Sequence, residues 1–328
     1  MLKILLNAEP FGFGPAAAIA NIFDLIKDKG YIIDYIGEGH TNDLQLKLNY
    51  NKIINISQFD SVINDYDYFI TAMDFKLAEK AIKRNIKTIF YDALTWFWKD
   101  IKLKPYAYIS QDFVGVETNF NVIECNNKYI INPLLSKHTK QSEKYNVLNF
   151  GGLENCYFND KDTITYIQNI IEPILNHCNI DYILGSVKHV KKLKDRYNIQ
   201  TLPYEEMQVL LSNTNNLFCT TGLGNIYEAN KYKLNTIFLP PTNDSQGQQL
   251  EIIKDKILIE NNLDWSLFSN TVNYFASQGE VMNAIKNNIH SFDKILFLEA
   301  LNKIEFSKLN LNFNNRLNLE DILVKIII

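Results

Sequence analysis

Two glycine turns hold the residue types from which chemistry could be built. The stronger is Phe218-Cys-Thr-Thr-Gly222-Leu-Gly224-Asn225, which ends an apolar strand and opens a helix. Glycine lets a backbone come close to a ligand, and the first-turn amides of a helix lack internal partners. Thr220, Thr221, Gly222, Gly224 and Asn225 could therefore cradle an anion, a diphosphate above all. Glu228 follows one helical turn on, within reach of a ribose hydroxyl pair. After the next strand comes Pro240-Pro-Thr-Asn243-Asp-Ser245-Gln246-Gly-Gln-Gln249. Asn243, Ser245, Gln246 and Gln249 are neutral hydrogen-bonding groups, better suited to sugar hydroxyls than to metal ions. An ordinary polar turn before a helix is the plainer reading of any one of them.

The other turn is Gly12-Phe-Gly14-Pro-Ala-Ala17, a GxGxx[GA] pattern between strand and helix. Gly12 and Gly14 could approach an anion, and Pro15 suits the first helical turn. As a dinucleotide fingerprint it needs an acid closing the second strand. Asp34 lies inside that strand and Glu38 follows Gly37, so an NAD(P)-dependent enzyme is a minor alternative. A tight turn without a ligand is another.

These turns need elements to position them. Residues 2–7 read as a buried strand, and Ile19, Ile22, Phe23 and Ile26 form a helical stripe. Gly30 stands where a C-terminal cap belongs. Strand signals recur at Tyr31–Gly37, Ile53–Ile56, Tyr68–Thr71 and Lys87–Tyr91, with a helix at Phe75–Arg84. Asn132–Asn146 loses the pattern and reads as a linker. The alternation then restarts with strands at Val147–Phe150, Tyr182–Leu184, Ile199–Leu202, Leu217–Thr220 and Thr236–Leu239, and a helix near Thr163–Asn176. The expectation is an α/β chain of two Rossmann-like, doubly wound parallel-sheet domains facing a cleft, residues 1–140 and 141–328. The helical tail beyond Ser291 reads as a return to the first domain.

Other classes are disfavoured. A formal charge of −4 gathers no nucleic acid. Cys125, Cys156, Cys178 and Cys219 are far apart and read as reduced thiols. No run of about 18 apolar residues occurs, and the opening run is too short for a signal peptide; a cytoplasmic protein without an integral membrane segment is expected. The five histidines (His40, His138, His177, His189, His290) are scattered, so no metal and no resident cofactor are expected. P-loop and GxSxG patterns are missing. Asp65-Tyr-Asp67 reads as coincidence, and His189–Lys194 as one exposed helix face.

The order of glycine turn, helix with a glutamate, strand ending in proline, and Gln-containing loop resembles the donor half of GT-B glycosyltransferases. It is similar to the UDP-glycosyltransferases and the lipid II-forming N-acetylglucosaminyltransferase. The resemblance gives Glu228 the ribose and Asn243, Ser245, Gln246 and Gln249 the transferred sugar. Gly151 and Gly152, within Asn149–Asn155, resemble the turn that opens such C-terminal domains, and Pro203–Met207 the segment beside the base. The first turn, Tyr91–Trp98 and the Pro-Pro-Thr-Asn-Asp-Ser-Gln loop together also look like cytosylglucuronate synthase-type enzymes.

Many relatives place a histidine in the first glycine turn as the acceptor's base, and this turn has none. A base is needed because an acceptor hydroxyl gains acidity only as its new bond forms. Asp92, at the end of a predicted strand, is the first choice, with Glu9 and Asp112 as alternatives. Trp96 and Trp98 could wall an acceptor. The expectation is a metal-independent inverting hexosyltransferase, with a nucleotide-sugar (UDP-sugar) donor and an acceptor left open, its two domains closing to exclude water. Rivals are a nucleotide-sugar hydrolase or 2-epimerase, and a non-catalytic nucleotide-sugar-binding protein.

Overall fold

The computed structural model describes residues 1–98, 100–154, 157–257, 262–313 and 316–327, with backbone alone for 255–257. Asn155 and Cys156 therefore lie outside the described residues. The chain divides into two compact units, Met1–Leu134 with Asn312–Ile328, and Leu135–Leu311.

In the first unit the elements run β1 (Lys3–Ala8), α1 (Gly14–Ile26), β2 (Ile32–Gly37), α2 (His40–Gln45), β3 (Lys52–Asn55), α3 (Phe59–Val62), β4 (Tyr68–Ala72), α4 (Phe75–Lys83), β5 (Lys87–Asp92), β6 (Ala107–Gln111), α5 (Val116–Val122) and β7 (Lys128–Ile131). The seven strands are parallel in the order β3-β2-β1-β4-β5-β6-β7. Strands covered on both faces read as continuous apolar runs, and β1, β4 and β5 do so. The stripe Ile19, Ile22, Phe23 and Ile26 of α1 is buried in the same apolar cluster as Ile4, Leu6 and Ile70. Gly30, at φ +78, closes the turn into β2 four residues past α1. Strands β6 and β7 are not marked in the sequence. Their runs are short, and a crossover without a helix separates β5 from β6, so no alternating period announces them.

The second unit contains β8 (Tyr145–Asn149), α6 (Asp160–His177), β9 (Tyr182–Leu184), α7 (Val187–Leu193), β10 (Ile199–Gln200), α8 (Tyr204–Ser212), β11 (Thr214–Cys219), α9 (Leu223–Tyr232), β12 (Asn235–Phe238), α10 (Asp244–Ile257), α11 (Gln278–His290), α12 (Lys294–Leu301) and β13 (Ser307–Lys308). The sheet order is β10-β9-β8-β11-β12-β13, parallel except for β13, which pairs antiparallel with β12. Helix α6 starts on the Asn159 side chain, which accepts from Asp162 N at 2.9 Å. Tyr166, Ile167, Ile170, Ile171 and Ile174 form its buried face. The chain ends in α13 (Leu319–Ile327), whose Leu319, Ile322, Leu323 and Ile326 pack into the core of the first unit. Its Ile326 carbonyl accepts from Tyr68 OH at 3.2 Å.

Both sheets are doubly wound. Strand order reverses beside β1 in one and beside β8 in the other, opening a crevice at the carboxyl ends between β1 and β4 and between β8 and β11. Helix α7 differs from the expected exposed face. His189 is buried, and its ring accepts from Ser186 N at 3.2 Å within a capping box. Only the lysines of that run face solvent, because the 3.6-residue period turns His189 and Leu193 inward together.

Gly247 decides how α10 packs. A Cβ there would stand 2.0 Å from Tyr274 Cδ1, and Tyr274 is held by a 2.8 Å bond from its hydroxyl to Asp264 Oδ2. Alanine in a helix interior is normally better than glycine by about 1 kcal/mol. Here Gly247→Ala is expected instead to destabilise by about 1–3 kcal/mol through overpacking, read as a lowered thermal unfolding midpoint.

Candidate functional site

In the second unit the pieces converge at the crevice between β8 and β11. The Gly151-Gly152 turn follows β8, and Asn149 Oδ1 accepts from Gly151 N at 2.8 Å. A Cβ on Gly152 would meet Thr220 Oγ1 at 2.4 Å and Gln246 Nε2 at 3.3 Å. Across the crevice Asn149 Nδ2 donates to Asn225 Oδ1 at 3.2 Å, and Asn225 Nδ2 donates to the Thr220 carbonyl at 2.8 Å. Gln246 Nε2 donates to the Gly152 carbonyl at 3.2 Å. Gly151, Gly152, Thr220, Asn225 and Gln246, far apart in sequence, thus form one floor.

The rim of that floor is the uncapped start of a helix. Helix α9 begins after Gly222, which has no side chain to cap it, and its first turn holds no acid. First-turn amides and the helix dipole together favour an anion there. Gly224 is exposed, so this end opens to solvent. The Thr221 side-chain oxygen is fully buried and without a hydrogen-bond partner, as is Gln249 Oε1. A buried polar atom without a partner is costly to the fold.

The Gln-containing loop is more self-contained than its composition suggests. Asn243 Oδ1 accepts from Gln246 N and from Ser245 Oγ, both at 2.9 Å, and so caps α10. Gln246 Oε1 accepts from Thr242 N at 2.9 Å and Thr242 Oγ1 at 3.0 Å. Asn243, Ser245 and Gln246 are all buried. Their side chains shape the loop, because a helix start needs acceptors whatever else the segment does. Pro203 stands at the start of α8, between β10 and that helix.

Glu228 lies on α9, 8% exposed, and accepts a hydrogen bond from Gln208 Nε2. Burial pushes its carboxyl up to about 7, opposed by the Gln208 bond and by the Lys231 charge.

The first unit places Glu9 at its own switch point, where Glu9 N donates to the Ala72 carbonyl at 2.9 Å. Its carboxyl is pushed up to about 7, first by burial, then by the Asp74 charge, with Lys76 acting the other way. Gly12 takes φ +61, which glycine adopts without strain, and helix α1 starts without a side-chain cap. Gly14 has open space where a Cβ would be.

His40 is the residue that sequence reasoning passed over. Its Nε2 lies 2.7 Å from the Gly12 carbonyl oxygen, and its ring stands edge-on to Phe13, centroids 5.3 Å apart. A carbonyl only accepts, so Nε2 carries the proton and Nδ1 is the basic nitrogen. The turn thus has a histidine after all, supplied by the segment after β2. No local pattern could reveal it.

Asp92, ranked first from sequence, is placed differently. It is 0% exposed, and its two oxygens accept from Leu94 N at 2.7 Å, Thr95 Oγ1 at 2.9 Å, Trp98 Nε1 at 3.3 Å and the Tyr108 hydroxyl. Four donors fill its acceptor sites, so this carboxylate ties down the loop after β5 and has none left for an acceptor's proton. Asp112 pairs with Arg316 at 3.2 Å and is buried. Trp96 packs on Phe97 and Phe113 with its indole N–H buried and unpartnered, while Trp98 stands against Phe75. Asp34 is held by Tyr66 OH at 2.5 Å and Asn51 Nδ2 at 2.9 Å, so this carboxylate is bound into the fold. Asp67 serves Lys3 N at 2.8 Å, at the amino ends of the strands. Among the described residues no group of three or more metal-ligating side chains occurs, and no helix is long and apolar enough to cross a membrane.

No protein-family model and no curated protein matches the chain. Solved structures do. One of UGT89C1 from Arabidopsis thaliana, complexed with UDP, superposes at a TM-score of 0.60 with 9% identity over 100% of both chains. The fold is GT-B. A UDP-glucosyltransferase from Polygonum tinctorium capable of glucosylating indoxyl matches at 0.53 and 10% identity, over 92% of this chain and 98% of its own. LpCGTa in complex with UDP matches at 0.51 and 7%, over 92% and 93%. Superpositions of this extent establish the GT-B fold of this chain, and identities this low leave its chemistry to the residues themselves.

The raised carboxyl of Glu228 carries a stability cost of known sign. Protonated in the folded state to about pH 7 but ionised above about 4.5 when unfolded, it withdraws stability as pH rises between those values. Glu228→Gln removes the cost. Its gain in unfolding free energy over the parent is expected near zero at pH 4.5 and on the order of 2–3 kcal/mol above pH 7, measured by denaturant titration at both ends.

Proposed function

We propose that the chain is a metal-independent, inverting glycosyltransferase that takes its sugar from a nucleoside diphosphate sugar, a UDP-sugar. The observation that carries this reading is the buried, unpartnered Thr221 hydroxyl beside the uncapped start of α9, on a floor where Gly152 leaves room for nothing larger. Unpaired first-turn amides favour an anion such as a diphosphate, and two of the similar structures named above hold UDP. Thr220, Thr221, Gly222, Gly224 and Asn225 receive the diphosphate, whose charge the helix start stabilises as the sugar leaves. Glu228 receives the ribose hydroxyls, and Gln249 offers an open acceptor to the sugar.

Glu9 takes the acceptor's proton. It is the sequence candidate whose oxygens are not committed to holding the fold, and a carboxyl near 7 matches a base at neutral pH. Deprotonation is required, so the rate should fall as pH drops below about 7. Glu9→Gln is expected to lower kcat about 10²–10⁴-fold and to abolish that acidic limb, measured as a pH–rate profile with a fixed acceptor. Glu9→Gln activity equal to the parent at every pH would remove Glu9 from the mechanism.

The donor assignment is tested by calorimetric titration with UDP, UDP-sugars and NAD. UDP and a UDP-sugar are expected to bind, and Thr221→Val is expected to weaken both about tenfold or more through the lost hydrogen bond to a charged group. Binding of NAD without binding of UDP would overturn the reading. Sugar release from donor alone, at a rate that no acceptor alters, would replace transfer by hydrolysis.

A further inference from the structure

Gln208 is the one neutral amide buried on α8, a helix whose other inward positions include Leu210 and Leu211. Burying a glutamine is costly unless both ends of its amide are paired. Both are: Tyr232 OH donates to its carbonyl oxygen at 3.2 Å, and its nitrogen donates to Glu228 Oε1. The tyrosine fixes which way the amide faces, so the N–H₂ end is presented to the carboxylate. Leucine would fill the same space without needing partners, which makes Glu228 the reason for an amide here. Glu228 Oε2 has no hydrogen bond among the described residues.

We propose that Gln208 is a positioning residue of the donor site, gripping Glu228 by one carboxylate oxygen so that the other is left to receive the ribose hydroxyls of the nucleotide. This rests on the reading of Glu228 given above. The groups facing Glu228 are Lys231 and Tyr232 on α9, Cys219 on β11 and Gln208 on α8. Burial pushes the Cys219 thiol and the Tyr232 phenol up, so both stay neutral. Lys231, the single cation of the set, is drawn to the Ser136 carbonyl. Gln208 and Lys231 therefore both favour the ionised carboxylate against the larger effect of burial, and loss of Gln208 moves ionisation to still higher pH.

The experiment titrates the full chain with UDP and with 2′,3′-dideoxy-UDP between pH 6 and 8.5. Parent, Gln208→Leu, the closer-shaped Gln208→Met and Glu228→Gln are compared, each checked for an intact unfolding transition. Gln208→Leu or Gln208→Met is expected to weaken UDP about tenfold, to leave the dideoxy probe unchanged, and to move the pH midpoint of UDP binding upward. Equal weakening of both probes, or an unmoved midpoint, would show a merely structural glutamine. If Glu228→Gln alone weakens UDP, the proposal fails and the donor reading stands. If Glu228→Gln and the missing diol both leave affinity unchanged, the ribose assignment itself falls, and the proposal with it.

Discussion

Where β8 and β11 lie side by side, a methyl group on Gly152 would stand 2.4 Å from the Thr220 hydroxyl oxygen, so the turn after one strand and the turn after the other nearly touch. The rest of the site follows from that approach. It lets Gln246 reach the Gly152 carbonyl and Asn149 reach Asn225, and so fastens the ends of three parallel strands to the first turn of α9. The approach exists because strand order reverses at β8: crossovers leave in opposite directions, and no helix covers the gap. Glycine is what allows the gap to stay narrow.

Carboxylates in this chain show how little residue type says about role. Asp92, Asp112, Asp34, Glu9 and Glu228 are all withdrawn from water to some degree. Asp92 receives four donors, Asp112 an arginine, and Asp34 a phenol and an amide. These are bound into the fabric of the fold. Burial raises the proton affinity of Asp92, Glu9 and Glu228 alike, but of these Glu9 and Glu228 keep acceptor capacity. Buried groups that are left under-satisfied cost stability, and sites of chemistry are where such a cost is usually found.

The segment from Pro240 to Gln249, a turn that runs into α10, illustrates a different division. Its amide side chains look from composition like a row of hydroxyl binders, yet Asn243, Ser245 and Gln246 cap a helix and hold a turn. The Pro240 and Pro241 carbonyls accept from Tyr166 OH at 2.7 Å and Trp265 Nε1 at 2.8 Å. The turn into α10 is thus pinned on both sides, and Gln249 Oε1, in that helix, is buried without a partner.

The sequence by itself determined the element grammar: apolar runs of strand length, the Ile19–Ile26 stripe, and glycine turns where strands hand over to helices. Those signals are local, arising from backbone sterics and from a period of 3.6 residues, so a reader of the chain can see them. It also determined that Thr220 to Glu228 is a strand-to-helix turn with an acid one helical turn beyond. Tertiary structure alone decided which candidates have free atoms. Asp92 is occupied because Tyr108, from the neighbouring strand, and Trp98 reach it. His40 comes to Gly12 across 28 positions, and Gln208 to Glu228 across 20. Hydrogen-bond capacity is spent in three dimensions, on partners that parallel crossovers bring from distant segments, and spacing along a chain carries no record of that spending.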